Sequence, residues 1–457
     1  MTSAQTAGPM RLETEQAGIG GPVPPDDTPV SGRAWLVVAM LFLFIVINFA
    51  DKAVLGLAAV PIMKDLNLSN AEFGIVGSSL FFLFSISAIV VGFIANRVPS
   101  KHLLTIMALI WAFTQLPMLG TVSFGMLLAC RIVLGAGEGP AFPVALHSVY
   151  KWFPDSRRAF PTSLVQIGGS VGVGIMAPLI TWVIVTYSWH VAFGSLGFVG
   201  LLWVLVWMFV GKEGPLGGGK VEAGGAGLEH VPYSMLMFSR TAIGVFLTGI
   251  AGYWGVALSL VWLPAFLIKA GGYTPTQTSF IVGLPSTLQI FLLPTIAYVS
   301  QVLLTRGLSS RVSRGFVCSG CVLVAGIALI LLSNSSNAIA QGILVVIAFT
   351  LVTPIFTLGP PLIGEIAPVH QRGAMLGINN AIFTTAGLVA PWAFGKIVDL
   401  SGADAALGFR NGFFYSGMLV AVGAAIGLLL IHPERDLLRF RSQGMAVTGG
   451  QPTIGHA

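Results

Sequence analysis

Residues 33–57 read RAWLVVAMLFLFIVINFADKAVLGL. Fourteen consecutive apolar residues, Ala34 to Ile47, lead to Asn48 and then to two adjacent opposite charges, Asp51 and Lys52. About 20 mostly apolar residues make a helix as long as the hydrocarbon core of a bilayer is thick, so this stretch predicts a spanning helix. A spanning strand would instead alternate with period two over about 10 residues, and no such segment is present. A charge at bilayer depth costs about 2.5–3.5 kcal/mol on insertion scales, so Asp51 and Lys52 mark an aqueous path or a binding site.

The same kind of segment recurs along the chain. Working outward, twelve are read: 33–57, 72–96, 101–121, 123–147, 161–185, 190–211, 240–268, 276–304, 314–333, 338–363, 373–398 and 410–431. Of the 457 residues 55% are hydrophobic and 9% charged, where a soluble domain carries about 25% charged residues. The chain is therefore expected to be an all-α membrane protein, with the lipid bilayer as its first partner. Lys and Arg sort by side: of 23, seventeen fall on the side of the two termini, four on the other, and Lys52 and Arg131 lie within the membrane. By the positive-inside rule both termini are expected in the cytoplasm, with the protein multi-pass in the cell (inner) membrane. The net charge of +6 thus reports topology, and no concentrated basic surface points to nucleic acid.

Residues 1–32 are polar and rich in Gly and Pro, and predict a disordered cytoplasmic tail. The polar, Gly-rich stretch 212–239 predicts a cytoplasmic linker between a bundle at 33–211 and a second at 240–432, with a further tail at 433–457. The halves echo each other. Pro154 and Arg158 recur as Pro368 and Arg372, 214 residues on, and Ala177-Pro178 recurs as Ala390-Pro391, 213 residues on. Two six-helix pseudo-repeats facing each other are a transporter architecture, with substrate held near the midplane between them.

A second pair of opposite charges, Arg131 and Glu138, lies in the fourth segment, in RIVLGAGEGPAFP. Seven residues make two helical turns, about 10.5 Å of rise, so a direct bond between them is not expected. Gly135, Gly137 and Gly139 keep that helix slim, which admits a neighbouring helix or a substrate equally. Tyr253 falls in the middle of the seventh segment, where its ring stacks on a substrate or packs against another helix. Cys318 and Cys321 form a C-x-x-C inside an apolar helix with no acid or His nearby, which reads as helix packing. No cofactor and no metal are implied. No nucleophile–base arrangement marks an enzyme. Gly214 to Lys220 imitates a phosphate-binding loop, but Val221 stands where a Ser or Thr is needed.

The repeats resemble the major facilitator superfamily. Gly92-x-x-x-Asn96-Arg97 followed by Lys101 is similar to that family's loop after the second helix, although Asn96 replaces the usual Asp, and Pro99 and Ser100 replace a Gly and an Arg. The resemblance implies a gating role for Asn96 and Arg97, and Arg158 and Arg372 read as cytoplasmic gate or orientation charges rather than ligands. More narrowly, the chain resembles the anion:cation symporter family, which includes sugar-acid permeases and vesicular glutamate and phosphate carriers. The matching pieces are Asn48-Phe49-x-Asp51-Lys52, Arg131-x-x-x-Gly135-x-x-Glu138-x-x-x-Phe142-Pro143, Gln166-x-Gly168, Trp262-Leu263-Pro264, and Arg372-Gly373 with Asn379-Asn380. The family usually has Arg where this chain has Lys52. The resemblance implies that Asp51 and Glu138 take up protons, that Lys52 and Arg131 bind or gate the anion, and that Gln166 and Asn380 add hydrogen bonds. Asn379 and Asn380 lie on adjacent helix faces, so one of them is expected to face the substrate.

The four intramembrane charges sum to zero. An anion entering among them leaves an excess negative charge, and a proton on Asp51 or Glu138 removes it. The partners implied are a small organic anion and H⁺, carried by a monomer working by alternating access. The family's sugar-acid members tend to place a Tyr and a Gln on the second helix, and those places hold Phe84 and Ala88 here. A hydroxyl buried without a partner costs about 1–3 kcal/mol, so a carboxylate that is aromatic or sparsely hydroxylated is favoured. A sugar acid, or an anion moved without a proton or outward, stands as the alternative.

Overall fold

The computed structural model describes residues 31–95, 97–154, 157–216, 231–368, 371–402 and 404–442. Twelve helices in it are long and apolar enough to cross a membrane: Gly32–Leu57, Asn70–Ile94, Ser100–Leu119, Phe124–Tyr150, Phe160–Thr186, Trp189–Val210, Arg240–Val261, Pro275–Thr305, Arg311–Asn334, Ala338–Ile366, Arg372–Leu400 and Ala405–Leu430. They are called the first to twelfth spans below. No strand occurs among the described residues. The result is an all-α membrane protein of two six-helix pseudo-repeats, with each expected segment found as a span.

Differences from the expected segments have local causes. The expected seventh segment, 240–268, breaks after Val261, because Pro264 has no N–H to donate back along the helix, and a short helix Leu263–Lys269 follows. The twelfth span starts at Ala405 rather than 410, since the Asp404 side chain accepts the Leu407 N–H at 2.9 Å and caps the helix. The fourth span is interrupted at Gly139-Pro140 and the tenth at Val352–Thr353, ahead of Pro354. The expected tail at 433–457 begins as a helix, Pro433–Ser442. It is tied down by Asp436, which accepts the Thr241 N–H at 2.8 Å, and by Glu434, which accepts the Arg311 N–H at 3.2 Å. Most of the expected first tail, residues 217–230 of the linker, and Asn96 lie outside the described residues.

The halves meet at the end of the bundle away from the termini. Small residues let helix backbones touch there: a Cβ on Gly56 would strike the Leu260 carbonyl, one on Gly74 the Pro391 carbonyl, and one on Gly395 the Asn70 carbonyl. Polar contacts close the same seam. The Asp399 carboxylate accepts Asn70 N (3.1 Å), Asn70 Nδ2 (2.8 Å) and Ala71 N (2.7 Å), taking up free N–H groups at the start of the second span. Trp392 N donates to Ser78 Oγ at 3.2 Å, and Ser85 and Thr384 hydroxyls lie 2.6 Å apart. Toward the terminal end the packing thins. The second span has buried residues only from Phe73 to Phe81, none from Phe82 to Ile94. Opposite it, Gly373 and Gly377 face open space. The bundle is closed at one end and splayed at the other.

Candidate functional site

Successive residues of a helix point about 100° apart, so Asp51 and Lys52 leave the first span in different directions. Asp51 faces the third span, where Gln115 Nε2 donates to its Oδ1 at 3.0 Å. Lys52 faces the fourth span, with its Nζ 3.3 Å from Glu138 Oε2. One turn back on its own helix, Asn48 Oδ1 accepts from Nζ at 2.5 Å. Two rings cover the ammonium, with centroids at 4.4 Å for Phe49 and 5.5 Å for Phe84. Arg131 Nη1 donates to the Asp51 backbone carbonyl at 3.3 Å. The charges thus pair across helices, Lys52 with Glu138, rather than within the two sequence pairs.

All four charged residues are nearly inaccessible: Asp51 and Glu138 are 1% exposed, Arg131 3% and Lys52 6%. Each acid feels both cations and the other acid, or both cations, so the four act as one electrostatic unit. Their hydrogen bonding is incomplete. Asp51 Oδ2, both Glu138 carboxylate oxygens and Arg131 Nε have no hydrogen-bond partner, the Lys52 ammonium meeting Glu138 by proximity of charge. A folded core does not retain such atoms for stability, since a buried ion pair rarely outweighs its desolvation. Three of these atoms are carboxylate oxygens that can accept a hydrogen bond, and the fourth, Arg131 Nε, carries an N–H that can donate one.

The glycines of the fourth span serve helix packing. A Cβ on Gly135 would collide with the Leu80 carbonyl, and one on Gly139 with the Phe84 carbonyl and Ser87 Oγ. Gly137 faces Ile110 and the Trp111 indole nitrogen. Tyr253 packs among rings from three other spans: Phe81 (5.6 Å between centroids), Phe356 (5.9 Å) and Phe383 (5.8 Å). It also lies close enough to Glu138 to feel its charge. Phe81 touches Phe84, so an aromatic wall runs from the Lys52 ammonium into the second half.

The remaining expected site residues lie apart from the charges. Gln166 is exposed, one turn before Gly169, which contacts the Phe49 ring. Asn379 is buried with its Oδ1 unpartnered, and half-buried Asn380 gives its carbonyl to Thr384 Oγ1 at 2.9 Å. No hydrogen bond among the described residues joins these three to Asp51, Lys52, Arg131 or Glu138. Of the expected gating residues, Arg97 is exposed, Arg158 covers the Tyr150 ring at 4.6 Å, and Arg372 Nε donates to the Ala367 carbonyl at 3.2 Å. Sequence reasoning passed over Gln115, the rings of Phe49, Phe81, Phe356 and Phe383, and Asp399. Gln115 carried a signal, being the one amide side chain in a mostly apolar span.

The comparisons agree with this fold. The family model described as Major Facilitator Superfamily matches residues 41–391. A D-galactonate transporter of Escherichia coli O6:H1 is 25% identical over 396 residues, covering 80% of this chain and 90% of its own. A probable galactarate/D-glucarate transporter of Bacillus subtilis is 27% identical over 389 residues, covering 78% and 84%. Among solved structures, a bacterial homologue of the human lysosomal transporter Spinster, in an inward-facing, unoccupied conformation, aligns with a TM-score of 0.73 at 17% identity, covering 90% of this chain and 99% of that one. At that identity it speaks for the fold alone. A twelve-span bundle of two repeats, a buried charge cluster between helices and a family match over most of its length make this chain a membrane transporter, not an enzyme, and a member of the major facilitator superfamily, within which the motifs fit the anion:cation symporters.

Proposed function

We propose that the protein is a proton-coupled symporter that imports a small organic anion by alternating access. The observation that carries this reading is the buried, charge-balanced cluster of Asp51, Lys52, Arg131 and Glu138, in which Asp51 Oδ2 and the Glu138 oxygens accept no hydrogen bond. An anionic carboxylate or similar group drawn to Arg131 or Lys52 competes with the acids for those cations. The acid released from its cation takes a proton, and the loaded site returns to neutrality. Empty and loaded sites are then both near neutral, and both cross at low cost. Arg131 offers the paired donors suited to a carboxylate, and Gln166, Asn379, Asn380 and Tyr253 supply contacts when the halves close.

The termini lie in the cytoplasm on this reading, so the splayed end opens inward. The bundles 33–211 and 240–432 rock about the cluster, joined by 212–239, with Asn96, Arg97, Arg158 and Arg372 closing the inner gate, in a monomer of the inner membrane. The aromatic wall of Phe84, Phe81, Tyr253, Phe356 and Phe383 favours an anion with an aromatic or sparsely hydroxylated body. A second reading, a sugar acid, is favoured by the names of the relatives. The two are separated in proteoliposomes with an imposed pH gradient, where benzoate and D-galactonate compete with each other for uptake. Preference for benzoate supports the first reading and preference for galactonate the second. Uptake of either that ignores the pH gradient removes proton coupling.

A further inference from the structure

We propose that Gln115 is the positioning residue for Asp51: it holds Oδ1 so that Oδ2 is the atom that takes up and releases the transported proton. This rests on the reading of Asp51 as a proton-coupling acid. The geometry is specific. Gln115 is 2% exposed and ends the helix Ser100–Gln115, and its Nε2 donates to Asp51 Oδ1 at 3.0 Å while Oδ2 has no partner. The cations nearby are committed elsewhere. Arg131 gives Nη1 to the Asp51 backbone carbonyl rather than the carboxylate, and Lys52 donates Nζ to Asn48 and is ion-paired with Glu138 at 3.3 Å. Among the described residues, Gln115 is the one side chain hydrogen-bonded to the Asp51 carboxyl.

A neutral donor is suited to a carboxyl that must alternate. A cation bonded at the same place would hold the acid ionised, and an apolar residue would hold it protonated. The Gln115 amide N–H bonds both to the carboxylate and, more weakly, to the carbonyl oxygen of the protonated acid, and has no titratable proton of its own. The charged and titratable groups facing Asp51 are Lys52 on its own helix and Arg131 and Glu138 on the fourth span. The fifth span contributes no acid, base or His, and the sixth only His190, whose Nδ1 lies 2.7 Å from the Met118 carbonyl, three residues beyond Gln115. Tyr253, from the seventh, lies near Glu138.

The test is an infrared pH titration of the full-length protein in liposomes, following the carboxyl band lost in Asp51→Asn, beside the pH dependence of benzoate and galactonate counterflow. Gln115→Met keeps the shape and removes the donor; the midpoint of the Asp51 band is expected to move up by about one to two pH units. Gln115→Lys should hold the band in its ionised form and abolish its titration across the same range. In an Asp51→Asn background, Gln115→Met should leave the pH profile of counterflow unchanged. Should the Met variant not fold, Gln115→Asn, whose amide is withdrawn by one methylene, carries the same expectation. A titrating Asp51 band with an unmoved midpoint in these variants overturns the role of Gln115 and leaves the symport reading standing. An Asp51 band that never titrates in the unaltered protein overturns both.

Discussion

Lys52 and Glu138 meet at 3.3 Å in a site that water barely reaches, and the Glu138 oxygens have no aligned donor. Lys52 is the cation in contact with this acid, and on the proposed mechanism a solute that draws Lys52 away favours a proton on Glu138. Glu138→Gln keeps the shape and removes the titration. The expected outcome is loss of pH-gradient-driven accumulation with counterflow of the same anion retained, measured in proteoliposomes. Accumulation against a gradient at the original level would remove Glu138 from the coupling. The pairing itself was hidden from the sequence. Asp51 stands beside Lys52 in the chain, but adjacent helical positions face different neighbours, and each found its partner on another span.

At the scale of helices, the fourth span owes its position to glycines. Gly135 lets the Leu80 carbonyl approach its Cα on the helix segment that carries Arg131 and Glu138. Gly135→Val inserts a branched side chain against backbone that cannot yield, at a cost of about 1–3 kcal/mol. Lowered thermal stability of the purified protein, with weakened anion binding, checks this; an unchanged melting temperature would count against tight packing there. The seam at the far end is a separate device, with the Asp399 carboxylate accepting two backbone N–H groups at the start of the second span and the Asn70 side-chain amide. Hydrogen bonds to a charged group contribute about 1.5–3 kcal/mol, so Asp399→Ala is expected to raise the population opened at that end by about tenfold or more. Labelling of a cysteine placed at Ser78 by a membrane-impermeant thiol reagent, added from the side away from the termini, should rise in that variant. Unaltered labelling would argue that packing of Gly74 and Gly395 alone closes the seam.

At the scale of the whole molecule, the four buried charges balance, and on the proposed symport a monovalent anion entering with one proton keeps that balance throughout the cycle. Accumulation of a monovalent substrate should therefore follow the pH gradient and ignore an imposed membrane potential of about 100 mV, which acts with about 2.3 kcal/mol on each uncompensated charge. Potential-driven uptake in proteoliposomes would point to a second proton or to none. The twelve spans, their order and the placement of Asp51, Lys52, Arg131 and Glu138 within the first and fourth were legible in the chain, because apolar run length and the position of a charge within a run are one-dimensional properties. The repeat was legible too, in the recurrence of Pro154 and Arg158 as Pro368 and Arg372. Tertiary structure alone decided that Lys52 faces Glu138, that Gln115 holds Asp51, that aromatic rings from both halves continue the wall begun at Phe84, and that the halves are clasped at Asp399. Those outcomes depend on the rotation and close approach of helices whose residues lie far apart in the chain, as Gln115 lies 64 residues from Asp51, and no local pattern records them.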